Sequence, residues 1–159
     1  MRVGLGMDVH AFAAPEAGRR LILGGVEIPS DRGLLGHSDA DVLAHAITDA
    51  LLGAAGLEDI GHYFPDTDPT WKDADSLGLL RVARRIVGDA WEVANVDAVV
   101  VCERPKIREH RQAMRENLAG ALGVEYSQVS VRGTTSERLG FAGRGEGIAA
   151  QAVCLLQER

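Results

Sequence analysis

Residues 1–10 read MRVGLGMDVH. Side chains two apart share a face of a strand. Val3, Leu5, Met7 and Val9 therefore fall on one face, and Gly4, Gly6, Asp8 and His10 on the other. The alternation predicts a strand with an apolar underside and an open face bearing functional groups. Asp8 and His10 point the same way, and such a pair on one rigid element suggests a site if a third group arrives from elsewhere. The two glycines lack a third partner and no helix follows, so the pattern is not a dinucleotide fingerprint.

Working outward, AAPEAGRR (13–20) reads as a turn. RLILGGVEIP (20–29) resumes extended structure around a Gly-Gly break, and DRGLLGHSDADV (31–42) reads as a mobile loop. SDADVLAHAITDALLGAAG (38–56) predicts a helix with Ser38 as N-cap and Asp41 three residues on. Leu43, Ile47, Leu51 and Ala54 form its apolar stripe, and His45 lies nearly opposite. GLEDIGHYFPDTDPTW, from Gly56, reads as an ordered loop. DADSLGLLRVARRIVGDA (73–90) is a second amphipathic helix. WEVANVDAVVVCE (91–103) is strand-like. RPKIREHRQAMRENLAGALG (104–123) is a third helix, with Pro105 at its start and Gly123 closing it. QVSVRGTT (128–135) is a strand, RLGFAGRGEG (138–147) a glycine-rich turn without a P-loop signature, and IAAQAVCLLQ (148–157) a last strand. Strands at both ends with helices between predict an α+β fold: one domain over 1–159, with helices packed on one face of a sheet.

The chain has 159 residues, 46% of them hydrophobic and 25% charged, which fits one globular core. A net charge of −6 argues against a nucleic-acid partner. No stretch approaches the ~20 apolar residues of a membrane span, and the start lacks an apolar signal core, so the expected compartment is the cytoplasm. The two cysteines, Cys102 and Cys154, fit no zinc-pair spacing and are expected as small buried hydrophobes.

Asp8, His10 and His45 together offer the three ligands of a catalytic zinc site with one position left open. D-x-H is also common by chance, and half-exposed surface groups are the competing reading. Asp41 and Asp49, one turn either side of His45, could accept its other ring N–H. His37 and Ser38 precede a helix N-terminus, which suits a phosphate, or they are a loop residue and a cap. The acids of DIGHYFPDTDP either bind sugar hydroxyls or make turns. His62 has no assigned role. ERPKI (103–107) brings Lys106 to a strand–helix junction where ligands often bind. GTTSE (133–137) offers hydroxyls beside Glu137, a set suited to Mg²⁺ or Mn²⁺ held with substrate phosphates. Arg144 and Glu146 either pair across a subunit interface or stand as surface charges.

In this order, GMDVHAF, LLGHSDADVLAHAITDALLGA, DIGHYFPDTDP, RPK, TTSERLGF and GRGEGIA resemble the 2-C-methyl-D-erythritol 2,4-cyclodiphosphate synthases of non-mevalonate isoprenoid synthesis. The resemblance runs nearly end to end, and since the chain opens on the synthase motif it does not look like the form fused to a cytidylyltransferase. It implies a homotrimer of subunits, each a mixed four-stranded sheet with helices outside, and active sites between neighbours. It places zinc on Asp8, His10 and His45, and phosphate contacts on His37 and Ser38. Ribose contacts fall on Asp59, Ile60 and Gly61, and the erythritol side on Phe64, Pro65, Asp66, Thr67 and Asp68. Cytosine is read largely by backbone over Cys102, Glu103, Arg104, Pro105, Lys106, Ile107 and Arg108, with Lys106 near the phosphates. Thr134, Thr135, Ser136 and Glu137 match the segment that carries nucleotide contacts and a second cation, Mg²⁺ or Mn²⁺, at Glu137. Phe141 and Arg144 match further substrate contacts.

The implied reaction is attack of the 2-phosphate of 4-diphosphocytidyl-2-C-methyl-D-erythritol 2-phosphate on the β-phosphorus, with release of CMP. His37 and Thr135 would be catalytic. Ala40 stands where glycine is also common in the family, and Ser136 where threonine is common. The side chains of Cys102, Glu103 and Arg104 vary, which matters little if backbone does the reading. Two rival functions fit a metal-bearing chain of this kind: a zinc phosphohydrolase, and a non-catalytic trimeric sensor of isoprenoid diphosphates.

Overall fold

Glycine, and not valine or leucine, faces the core on β1 (Arg2–Ala11) of the computed structural model, which describes residues 1–159. Gly4 and Gly6 are buried against helix α1 (Val42–Ala55), while Val3, Leu5, Met7 and Val9 are 68%, 71%, 54% and 42% exposed. This reverses the expected underside. The reason is the closeness of the helix: a Cβ on Gly4 would lie 2.1 Å from the Ala50 carbonyl oxygen, and one on Gly6 1.9 Å from that of Ala46. Ala46, Ala50 and Ala54 present the small face that such an approach requires. A Gly6→Ala substitution must push α1 off the sheet. We expect a loss of about 1–3 kcal/mol, read as a lowered midpoint in denaturant unfolding.

The strands are β1, β2 (Leu21–Leu23), β3 (Val26–Ile28), β4 (Trp91–Val101), β5 (Val129–Thr134) and β6 (Gly147–Glu158). The main sheet runs β1-β6-β4-β5, with β6 antiparallel to both neighbours and β4–β5 parallel, so the expected mixed four-stranded sheet is present. β2 and β3 form a separate hairpin around Gly24 and Gly25, both in the left-handed region. Besides α1 there are α2 (Ile60–Tyr63), α3 (Ser76–Val87), α4 (Arg111–Leu122) and α5 (Gly140–Gly143). α1 lies on β1 and β6, α3 on α1, and α4 on α3 and β5, so the long helices cover one face. None is long and apolar enough to cross a membrane.

Helix α1 is buried nearly all round. Leu43, Ile47 and Leu51, on the stripe next to the alanine face, join the core, and all are fully buried. It starts three residues later than the Ser38 cap predicts. Asp41 is the cap, accepting from the Ala44 N–H, and its carboxylate also takes the Gly24 and Gly25 N–H groups. One buried acid thus closes the helix and fixes the hairpin turn. Burial pushes its carboxyl up to about 6, against the pull of those backbone donors. α4 begins at Arg111 and not at Pro105, because Ile107 is drawn into the core against Gly133. Gly123 closes it at φ 70°, as expected. The predicted glycine turn near 140 contains the single helical turn α5. Both cysteines are buried and unpaired, as expected.

Residues 31–40, expected as a mobile loop, are pinned at many points. Arg19 donates to the Leu34 and Ser38 carbonyls, Leu35 N–H to Ala11, Asp39 N–H to Ala74, and Asp73 N–H to the His37 carbonyl. Leu34 is 1% exposed and anchors the loop in the core. Ala40, fully buried, sits at φ 58° in the left-handed region. That conformation accounts for the suitability of glycine at this position.

Candidate metal and substrate site

Three side chains from two elements meet at the end of the β1–α1 contact. Asp8 and His10 project from β1 beyond the glycines, and His45 comes from the first turns of α1. Asp8 Oδ2 lies 2.9 Å from His10 Nε2 and 3.0 Å from His45 Nδ1, and the two ring nitrogens are 3.3 Å apart. One carboxylate oxygen and two imidazole nitrogens within 4.8 Å of one another form a donor set that can hold a metal ion. Its composition suits zinc. The sequence-derived trio is therefore brought together.

Each imidazole is oriented from behind. His10 Nδ1 donates to the Leu35 carbonyl, which leaves Nε2 for the ion. His45 Nε2 contacts the hydroxyls of Ser76 at 2.9 Å and Ser38 at 3.2 Å. Neither acid expected behind His45 has that role: Asp41 serves backbone donors, and Asp49 accepts from the Ile60 N–H at 2.7 Å. Burial works to raise the Asp8 carboxyl, but hydrogen bonds from His10 and His45 override it and hold Asp8 well below the usual carboxylate range. Burial likewise works to lower His10, and the Asp8 carboxylate overrides it, so the imidazole is raised. The donors thus already form a compact, charge-matched cluster.

The trio opens into a cavity of about 420 Å³ lined also by Gly36, His37, Ser38, Ile60, Gly61, Phe64, Pro65, Asp66, Trp71 and Leu79. His37 donates from Nε2 to the Asp68 carbonyl at 3.1 Å, tying the 31–40 loop to the 64–68 segment. Phe64 packs edge-on against Trp71, with centroids 5.1 Å apart. Asp59 and Asp68 cap the turns that follow them, accepting from His62 and Thr70 N–H. Their side chains and Thr67 stay outside the cavity lining. Asp59 and Asp68 therefore make turns, while Asp66 joins Ile60, Phe64 and Pro65 in the walls.

A second cavity of about 410 Å³ lies between the β4 exit and the end of β5. It is lined by Cys102, Pro105, Lys106, Ile107, Arg108, Arg111, Gly133, Thr134 and Thr135. It shares no lining residue with the first. Arg104 lines an adjoining surface groove with Phe12 and Arg32, which shares Pro105 and Lys106 with the second cavity. Thr135 Oγ1 donates to Glu137 Oε1 at 3.0 Å, and Ser136 Oγ donates to the Leu139 carbonyl. Glu137 and Arg138 are both left-handed, at φ 54° and 65°. Glu103 Oε1 accepts the Arg138 N–H at 2.9 Å and fixes this strained pair, so its side chain matters where backbone alone was expected to. Glu137 joins no cluster of metal donors within the chain. Phe141 is partly exposed, and Arg144 pairs with Glu146 of its own chain at 2.9 Å.

One chain thus carries two cavities that it does not join. The residues that sequence reasoning missed are Gly36, Asp39, Trp71, Ser76 and Leu79 around the first cavity and Arg111 and Gly133 in the second. Ser76 opens α3 with no pattern of its own, and only the fold places it behind His45.

The YgbB family model matches residues 1–157. A protein of Rubrobacter xylanophilus named 2-C-methyl-D-erythritol 2,4-cyclodiphosphate synthase is 81% identical over 156 residues, covering 98% of this chain and 94% of its own. The solved CDP complex of IspF from Plasmodium falciparum is 36% identical with a TM-score of 0.85, covering 99% of this chain and 96% of its own. The bifunctional IspDF of Campylobacter jejuni is 44% identical with a TM-score of 0.93; this chain is covered to 99% and spans 42% of that longer one.

Proposed function

The chain belongs to the YgbB family, and from that membership and the geometry above we propose how its residues carry out the family reaction. It converts 4-diphosphocytidyl-2-C-methyl-D-erythritol 2-phosphate to 2-C-methyl-D-erythritol 2,4-cyclodiphosphate and CMP, as a cyclising phosphorus–oxygen lyase. An oxygen of the 2-phosphate forms a bond to the β-phosphorus. The bond from that phosphorus to the bridging oxygen breaks, and CMP leaves with the electron pair. No water enters the product. The observation that carries this reading is the convergence of Asp8, His10 and His45 in a cavity shared with His37.

Asp8 Oδ2, His10 Nε2 and His45 Nδ1 would hold zinc, and Glu137 would hold Mg²⁺ or Mn²⁺ together with the diphosphate. When bound, these ions supply Lewis acidity and countercharge at the α- and β-phosphates. The protein's remaining task is placement and charge stabilisation, because phosphoryl transfer needs little covalent help. His37 and Ser38 flank the metal trio and suit the phosphates. Ile60, Gly61, Phe64, Pro65 and Asp66 form walls for the ribose and erythritol. The cavity between Cys102 and Thr135, bordered by the Lys106 ammonium, suits a cytidine phosphate. The CDP carried by the Plasmodium relative favours a cytidine-linked ligand for this chain. Thr135, its hydroxyl freed when the Glu137 carboxylate takes the cation, and His37 would donate hydrogen bonds as charge builds on the phosphorus oxygens. Losing one such donor costs about 3–4 kcal/mol of transition-state stabilisation.

The two half-sites would meet in a homotrimer. Support comes from the bare face of Val3, Leu5, Met7, Val9 and Val153, an exposed apolar patch of the kind that marks an interface. A head-to-tail ring of three would place the metal half of one subunit beside the nucleotide half of the next. The unpaired buried cysteines suit a cytoplasmic setting.

Incubation of the zinc- and magnesium-loaded protein with the proposed substrate, followed by phosphorus NMR in ¹⁸O-water, tests the reaction. Cyclic diphosphate and CMP without ¹⁸O are expected. Linear phosphates carrying ¹⁸O would identify a phosphohydrolase, and unchanged substrate a binding protein.

A further inference from the structure

The proton on His45 is placed by a chain of groups that begins on another helix. If His45 Nδ1 serves the metal, Nε2 carries the hydrogen and must donate it. Its nearest acceptor is Ser76 Oγ at 2.9 Å. Ser76 is fully buried at the first position of α3. Its own hydroxyl donates to Asp39 Oδ1, and its N–H donates to Asp39 Oδ2 at 3.1 Å. An ionised carboxylate can only accept. The direction of the chain is therefore forced: Asp39 takes the Ser76 proton, the Ser76 oxygen presents a lone pair to His45 Nε2–H, and the His45 Nδ1 lone pair is left for a metal shared with Asp8 and His10. Asp39 is itself held in place by the Asp41 N–H at 3.1 Å. The Ser38 hydroxyl, at 3.2 Å from the same ring nitrogen, is engaged by the Ala40 N–H and is the weaker partner.

We propose that Ser76, backed by Asp39, is a positioning residue that fixes the tautomer of His45 and raises its strength as a metal ligand. The inference deepens, and rests on, the reading of Asp8, His10 and His45 as a metal site. A negative group at the far end of a hydrogen-bonded chain favours the partial positive charge that an imidazole acquires on binding a cation. Removal of such outer partners typically lowers metal affinity about 10–100-fold. The same chain joins the 31–40 loop, through Asp39, to the N-terminus of α3 and to the metal trio.

The test measures zinc affinity of chelator-stripped protein by competition with a chromophoric chelator, alongside the unfolding temperature of the stripped form. Ser76→Thr keeps the hydroxyl, and Ser76→Val has the same shape without it. The inference predicts that the threonine variant binds zinc within about threefold of the parent, and that the valine variant binds about 10–100-fold more weakly. Equal affinities for the two variants would overturn it, since packing alone cannot tell them apart. Should either variant fail to fold, ¹⁵N–¹H spectra of the histidine rings in the zinc-loaded parent decide: a hydrogen on His45 Nε2 supports the chain, and one on Nδ1 contradicts it. A parent that takes up no zinc would instead remove the metal reading itself, and with it this inference.

Discussion

Replacing His45 by alanine is expected to remove tight metal binding and turnover together. The substitution leaves two donors, Asp8 and His10, where a catalytic site of this type needs three protein ligands. It also strips one of two hydrogen-bond partners, the donor, from the buried Ser76 hydroxyl, which keeps Asp39 as acceptor. The fold should survive, because α1 is held by Leu43, Ile47 and Leu51 and by the adjoining alanine face, and His45 lies opposite that stripe. Metal analysis of His45→Ala should show zinc well below one per chain, with kcat lower by about 10³-fold or more. Circular dichroism should match the parent. Full zinc content with an unchanged rate would rule out His45 as a ligand.

A second large effect should appear when two dead variants share one proposed trimer. His45→Ala damages the metal half-site, and Glu137→Ala damages the nucleotide half-site. Each protein alone should be inactive. Co-expressed in equal amounts, they should recover about a quarter of parent activity, because one interface in four, on average, pairs two intact halves in a head-to-tail ring. The expectation follows from the separation of the cavities, which share no lining residue in one chain. If both half-sites belonged to a single subunit, mixing would restore nothing. The measurement is CMP release by the co-purified mixture, compared with each parent variant at the same concentration.

The metal trio was legible in the sequence because its geometry is local arithmetic. Asp8 and His10 stand two apart on a strand, and His45 lies opposite the Leu43–Ile47–Leu51 stripe of a helix. The sheet and the order of its elements were legible for the same reason, from alternation and helical spacing. The orientation of β1 was not. A rule that sends apolar residues inward fails when a helix approaches so closely that only glycine fits, as at Gly4 and Gly6. The valines and leucines then face outward, where a neighbouring subunit would have to cover them. The start of α1 was misread because Ser38 and Asp41 are both good caps, and only the hairpin turn at Gly24–Gly25 decides that Asp41 is the one used. Ser76 was invisible for a different reason. Its partners, Asp39 and His45, lie 37 and 31 residues away, and no periodicity links them. Glu103 was undervalued because its one contact is to a backbone N–H, on a left-handed residue that the sequence does not announce.

The convergence of an aspartate and two histidines on one cation underlies every step above. Crystals of the zinc-loaded protein, with diffraction measured on both sides of the zinc absorption edge, test it most directly. The account predicts one strong anomalous peak per chain, within bonding reach of Asp8 Oδ2, His10 Nε2 and His45 Nδ1. A zinc-replete crystal whose anomalous signal lies elsewhere, with those three atoms bonded only to one another, would contradict it.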